Sequence, residues 1–190
     1  MTNLEAVNGY LKNKRDEAID YIQSASTLDD LNAKRTEKAL SGAQVTMPFL
    51  DMDERESNSI NEVPPADSQP VNLGVPVGKR YEGIEVEIPV EGDFELFTKY
   101  FENRYVCEGF MLTARGIYIK QYDFYNSGVS ALKEQVRNGV NVVNQYLEEL
   151  GSTIEFHHAR LTDSVNKAVK DRMLEIVDKM EKDKNSDPWG

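Results

Sequence analysis

The stretch Ile84-Glu85-Val86-Glu87-Ile88-Pro89-Val90 alternates apolar and acidic side chains over its first five residues. A period of two puts Ile84, Val86, Ile88 and Val90 on one face of a strand and Glu85, Glu87 and Pro89 on the other, which reads as a half-exposed strand at a sheet edge. Downstream, Glu91-Gly92-Asp93 supplies a turn and residues 94–101 a short aromatic-rich helix or turn. Residues 105–113 and 116–124 read as two further strands, close enough at Ala114-Arg115-Gly116 to form a hairpin. Residues 76–126 are therefore expected to form a small antiparallel sheet of three or four strands, which needs helices on one face to be stable.

Both ends of the chain supply helical patterns. Leu4, Val7, Leu11, Ala18 and Ile22 recur at helical spacing in residues 3–25, and Thr27 with Asp30 looks like the capping box of a second helix that stops at Gly42. Residues 1–42 are read as an N-terminal helical segment. In residues 127–184 a stripe runs through Leu132, Val136, Val143, Leu147 and Leu150, breaks at Gly151, and restarts at Ser152-Thr153-Ile154-Glu155. It continues through Ile154, His158, Leu161, Val165, Val169, Met173 and Ile176, so a helical hairpin or coiled-coil arm is expected. The predicted class is α+β: the small sheet packed with this C-terminal hairpin and the N-terminal helix pair. Residues 43–75, with a charge run, Pro64-Pro65 and Pro70, read as an acidic linker, and residues 185–190 as a tail.

Composition narrows the function classes. The 190 residues are 39% hydrophobic and 29% charged, with a mean hydropathy of -0.57 and no apolar run of spanning length, so no membrane association is expected. The first ten residues lack the basic and apolar regions of a targeting signal. One cysteine, Cys107, excludes an intramolecular disulfide and multi-cysteine metal sites, and fits a cytoplasmic protein. The net charge of -11 falls on two segments, residues 51–70 and residues 82–95, the second containing Glu82, Glu85, Glu87, Glu91 and Asp93 with no basic residue. Such a surface repels phosphate backbones, so direct nucleic-acid binding is not expected, although a basic face elsewhere remains open.

Catalytic signatures are absent. The two histidines, His157 and His158, are neighbours on an expected helix and point about 100° apart, so they cannot chelate one metal; His158 falls on the apolar stripe. Glu85 and Glu87 share a strand face at a separation that could hold a divalent cation, yet acidic residues on an edge strand also guard against aggregation. Cys107 in a strand reads as a buried, inert thiol. No catalytic residue, metal ligand or cofactor is assigned.

Gly92-Asp93-Phe94-Glu95-Leu96-Phe97, preceded by a strand and followed by strands and long helices, resembles a turn in the N-terminal region of bacterial restriction-endonuclease-like proteins of the PD-(D/E)XK superfamily. The resemblance covers residues 84–182. It implies a bacterial or mobile-element context in which any nuclease function lies in a partner or a separate segment, because this chain lacks the Asp and Glu-x-Lys strand pattern of that group.

Three functions are compatible with these features. The preferred one is a non-enzymatic interaction or assembly subunit, in a bacterial or phage-related defence complex, that uses Leu147, Leu150, Ile154, His158, Leu161, Val165, Val169, Met173 and Ile176 for self-association or for docking a protein partner. The second is an acidic inhibitor that occupies the basic surface of a nucleic-acid enzyme. The third is a small-ligand binder or enzyme using Glu85, Glu87, Tyr118 and Tyr122 on the sheet.

Overall fold

The computed structural model describes residues 3–66, 69, 76 and 78–186. Parts of the expected linker (67–68, 70–75) and of the expected tail (187–190) lie outside the described residues. The elements are α1 (Asn3–Gln23), α2 (Ala33–Ala43), β1 (Phe49–Leu50), β2 (Glu56–Glu62), β3 (Tyr81–Glu91), α3 (Phe94–Phe101), β4 (Phe110–Leu112), β5 (Gly116–Tyr122) and α4 (Val129–Ser186). The class is α+β with an antiparallel sheet, as expected. The chain divides into two compact units, residues 1–45 with 152–190, and residues 46–151.

In the second unit the alternating stretch is the centre of the sheet, which corrects the edge assignment. One side of β3 pairs with β5 from Gly83–Tyr122 to Pro89–Gly116. Its other side pairs with β2 over seven residues and with β1 at Leu50–Val90 and Phe49–Glu91. The sheet follows the order β1-β3-β5-β4, with β2 also on β3. β2 lies in the expected linker. Its sequence, Glu56-Ser57-Asn58-Ser59-Ile60-Asn61-Glu62, has no apolar alternation, and its pairing is made by backbone groups that carry no sequence signature.

The β4–β5 hairpin closes where the Thr113 hydroxyl accepts the Gly116 amide at 3.0 Å. Gly116 is required there, since a Cβ would stand 2.1 Å from the Ile88 carbonyl oxygen on β3. β4 is shorter than the strand expected over residues 105–113, because Gly109 turns with φ +70 where a Cβ would meet the Lys120 carbonyl at 1.8 Å. Cys107 accordingly sits in the turn before β4, half-buried, rather than within a strand. Asp93 caps α3, its carboxylate accepting the Leu96 amide at 2.9 Å. Leu96, Phe97, Tyr100 and Phe101 of α3 are buried, with Phe97 and Phe101 rings 4.5 Å apart.

α4 corrects the hairpin. It is one helix of 58 residues that runs through Gly151. Glycine inside a helix costs only about 1 kcal/mol relative to alanine, and Gly151 has no positive φ that would turn the chain. The Ser152-Thr153-Ile154-Glu155 pattern is therefore interior helix rather than a cap. The helix begins after Asp123, whose carboxylate accepts the Ser127 and Gly128 amides at 2.7 and 2.8 Å. In the second unit Gly139 lets α4 approach the sheet, its missing Cβ leaving room for Cys107 Sγ and Ile119 Cδ1.

The first unit is a three-helix assembly of α1, α2 and the C-terminal part of α4, with a core of Ala18, Ile22, Ala39, Ala43, Leu161, Val165 and Ala168. α2 starts at Ala33 rather than after Thr27. The Thr27–Asp30 pair makes the reciprocal bonds of a capping box, with the Asp30 carboxylate accepting the Ser26 and Thr27 amides, but they close an isolated turn. Asn32 is the cap, accepting the Arg35 amide at 3.0 Å, and Arg35 in turn donates to the Tyr21 carbonyl on α1. α2 passes Gly42 and ends at Ala43.

Candidate functional site

The stripe expected to form an interface is mostly core. Leu147 and Leu150 are buried in the second unit; Ile154, Leu161, Val165 and Ile176 are buried in the first, where Val169 packs against the helical core. Substituting these residues would unfold the protein before it tested a partner. Between the histidines the roles are exchanged: His157, at 4% exposure, is the buried one, and its Nε2 lies 3.2 Å from the Ala43 carbonyl oxygen. His158 is half-buried and accepts the Val45 amide on its Nε2 at 3.4 Å. The seam follows Ile154, His157, Leu161, Val165 and Ala168, and this three-four-four-three spacing selects 157 over 158.

A second stripe on α4 is free. Past Arg172, which donates to the Ala25 carbonyl beyond the end of α1, α4 continues to Ser186, about 20 Å of helix. Met173, Leu174, Val177 and Met180 lie there at 45, 64, 37 and 49% exposure. Leu174, Val177 and Met180 share one helical face at steps of three, with Met173 four before Val177. Of the expected interface residues, only Met173 falls on this stripe. Leu174, Val177 and Met180 were legible from their spacing alone, but nothing in the sequence separates a buried stripe from a free one.

The acidic residues differ in what engages them. Asp93 is engaged as the cap of α3, while Glu82 and Glu91 are exposed. Glu85 and Glu87 do share the face of the sheet that carries Tyr118, Lys120 and Tyr122, as register pairs Glu85–Lys120 and Glu87–Tyr118 dictate. There Lys120 Nζ touches Glu62 and lies 3.8 Å from Glu85, Tyr122 donates to Glu62, and Tyr118 donates to Glu85 at 2.5 Å. Thr113 donates to Glu87 at 3.5 Å. Burial opposes the charge of Lys120, but the Glu62 carboxylate and the Tyr122 hydroxyl outweigh it and raise the ammonium above its ordinary range. The hydrogen bonds from Lys120 and Tyr122 hold Glu62 below the ordinary carboxylate value. Burial first, then the bond to Glu85 and its charge, push the Tyr118 hydroxyl up to about 12. The four groups of the expected ligand site are thus brought together, with Glu85 engaged by Tyr118 and Lys120. No group of three or more histidine, cysteine or carboxylate side chains could hold a metal ion among the described residues.

The Cys107 thiol is raised by burial and by the Glu108 charge, the opposite of an activated nucleophile. No described helix is long and apolar enough to cross a membrane. Comparisons with family models, with curated proteins and with solved structures gave no match.

Proposed function

We propose that the chain is a non-enzymatic assembly protein and that the free end of α4 pairs with the same segment of a second copy. The observation that carries this reading is the stripe Met173, Leu174, Val177 and Met180, which continues the helix beyond the core of its own unit and leaves four large apolar side chains in water. The flanking charges favour a second copy over a partner of one sign. Lys170, Lys179 and Lys182 are interspersed with Asp171, Glu175, Asp178 and Glu181 along the segment, so two copies laid side by side can match opposite charges. The resemblance to restriction-endonuclease-like proteins adds a bacterial defence setting for such an assembly. The docking surface is a single helix rather than the expected hairpin.

Light scattering on the full chain over a concentration series tests this. The mass is expected to rise from one chain toward two with concentration, and Leu174→Asp with Val177→Asp to hold it at one chain, since aspartate placed in an apolar seam loses its water. Both side chains are exposed, so the helical circular dichroism of the variant should match the parent. A parent that stays at the mass of one chain at every concentration would reject the proposal.

A further inference from the structure

We infer that the second unit holds a binding cleft for a medium-chain aliphatic carboxylate, a site separate from the free end of α4. The cleft has a volume of about 490 Å³, within the range of roughly 300–1,000 Å³ that small-molecule sites occupy. Ile84, Val86 and Ile88 of β3 form one wall and Val136 and Val140 of α4 the other, with Met52 and Ser57 at the margin. These are the inward positions of the alternating strand, so the walls are apolar by the same period that built the sheet.

The rim carries the specificity. The charged residues lining the cleft are Arg55, Lys133 and Arg137, and among the described residues no carboxylate lines it, the Glu134 partner of Arg137 lying outside the lining. This is against the local trend, because residues 46–151 contain twice as many acidic as basic side chains. Arg55 is held by a 2.6 Å bond from its Nη1 to the Met52 carbonyl, which keeps its side chain at the margin. Arg137 bonds Glu134 at 2.9 Å through Nη1, and Lys133 stands one turn before it on α4. An apolar trough with cations at its mouth matches an aliphatic chain that ends in an anion. The chain would be removed from water along Ile84, Val86, Ile88, Val136 and Val140, and the carboxylate would meet the guanidinium forks, which suit its planar geometry. A neutral chain gains only the first of these terms, and a short acid only the second.

The test is calorimetric titration of the full chain with decanoate kept below its micelle concentration, beside decanol and acetate as probes of tail and head alone. Decanoate is expected to bind saturably at one per chain, decanol at least tenfold more weakly, and acetate without measurable heat. Lys133→Gln with Arg137→Gln should weaken decanoate at least tenfold, and Arg55→Gln alone should weaken it by a smaller factor. These side chains are exposed, and matching thermal unfolding of parent and variants would show the fold intact. Non-saturable heat, equal affinity for decanol and decanoate, or parent-like affinity in both variants would overturn the inference.

Discussion

Tyr118 donates its hydroxyl hydrogen to Glu85 at 2.5 Å across the β3–β5 pairing, although the residue opposite Glu85 in register is Lys120. The diagonal bond leaves Lys120 to reach Glu62 on β2, so one row of polar side chains ties three strands together on the face away from the α4 cleft. Tyr118 is expected to be among the last tyrosines to ionise, near pH 12. Glu85→Gln should lower that value by removing the facing negative charge, and Tyr118→Phe should cost on the order of 1 kcal/mol of stability through the lost bond. Ring-carbon shifts of tyrosine followed against pH check the first, and denaturant unfolding the second. A Tyr118 that titrates near 10 in the parent would contradict this network.

Gly151 should accept alanine with a gain. The helix is continuous there, and the nearest atom to an added Cβ is Met47 Cε at 3.7 Å, an ordinary contact. Gly151→Ala is therefore expected to stabilise the protein by about 1 kcal/mol, through the helix preference of alanine. Thermal unfolding measures it, and a loss of stability would contradict an unstrained helical position with room for a Cβ at this residue.

His157 confers a stability that is present at neutral pH and lost on mild acidification. Burial disfavours its charged form, and Arg15 and His158 oppose a further positive charge, while the bond to the Ala43 carbonyl works the other way; the net effect lowers its pKa from the ordinary 6.5. Lys12 and Arg160 line the same cleft, and Lys12 is paired with Asp16. Because the unfolded chain binds the proton more readily, stability falls as pH drops through 6.5 and levels off once the folded form is protonated too. His157→Gln should flatten the profile between pH 7 and 5, leaving only the carboxylate-linked loss at lower pH, to which Glu62 contributes. Chemical denaturation at half-unit pH steps reads both profiles; equal slopes in parent and variant would assign the dependence elsewhere.

Much of the fold could be read from side-chain periodicity, and the errors occurred where periodicity is silent. The alternation from Ile84 to Ile88 identified β3, and the short Ala114-Arg115-Gly116 connection identified the β4–β5 hairpin. β2 escaped because Ser57, Asn58 and Ser59 give neither face an apolar character, and its seven pairs are held by main-chain groups common to every residue. Gly151 and the Ser152–Glu155 pattern misled because termination signals act only where continuing the helix is less favourable, and here the buried residues Leu150 and Ile154 lie on both sides of the glycine. For the candidate site, Glu85 and Glu87 were read onto one strand face with Tyr118 and Tyr122 named beside them, and the β3–β5 register puts all four on the same face of the sheet. Lys120 and Glu62 were missed: the register that brings them together depends on β2. The basic rim of the cleft was equally hidden, since Arg55 is far in sequence from Lys133 and Arg137, which sit one turn apart on α4, and it meets them only through the packing of α4 on the sheet.

The first unit draws its residues from two stretches separated by the whole of the second. On a ribosome the sheet-bearing segment, contiguous in sequence, can close its core while the chain is still growing. Ala18, Ile22, Ala39 and Ala43 are made first yet find their partners Leu161, Val165 and Ala168 only after the last part of α4 has emerged. For that interval α1 and α2 present an uncovered apolar face, and a product stopped near residue 151 would keep it permanently. Such truncated chains should be marked for capture by chaperones or for degradation, which makes the stretch of α4 that carries Leu161, Val165 and Ala168 the cover on which the fate of the two N-terminal helices depends.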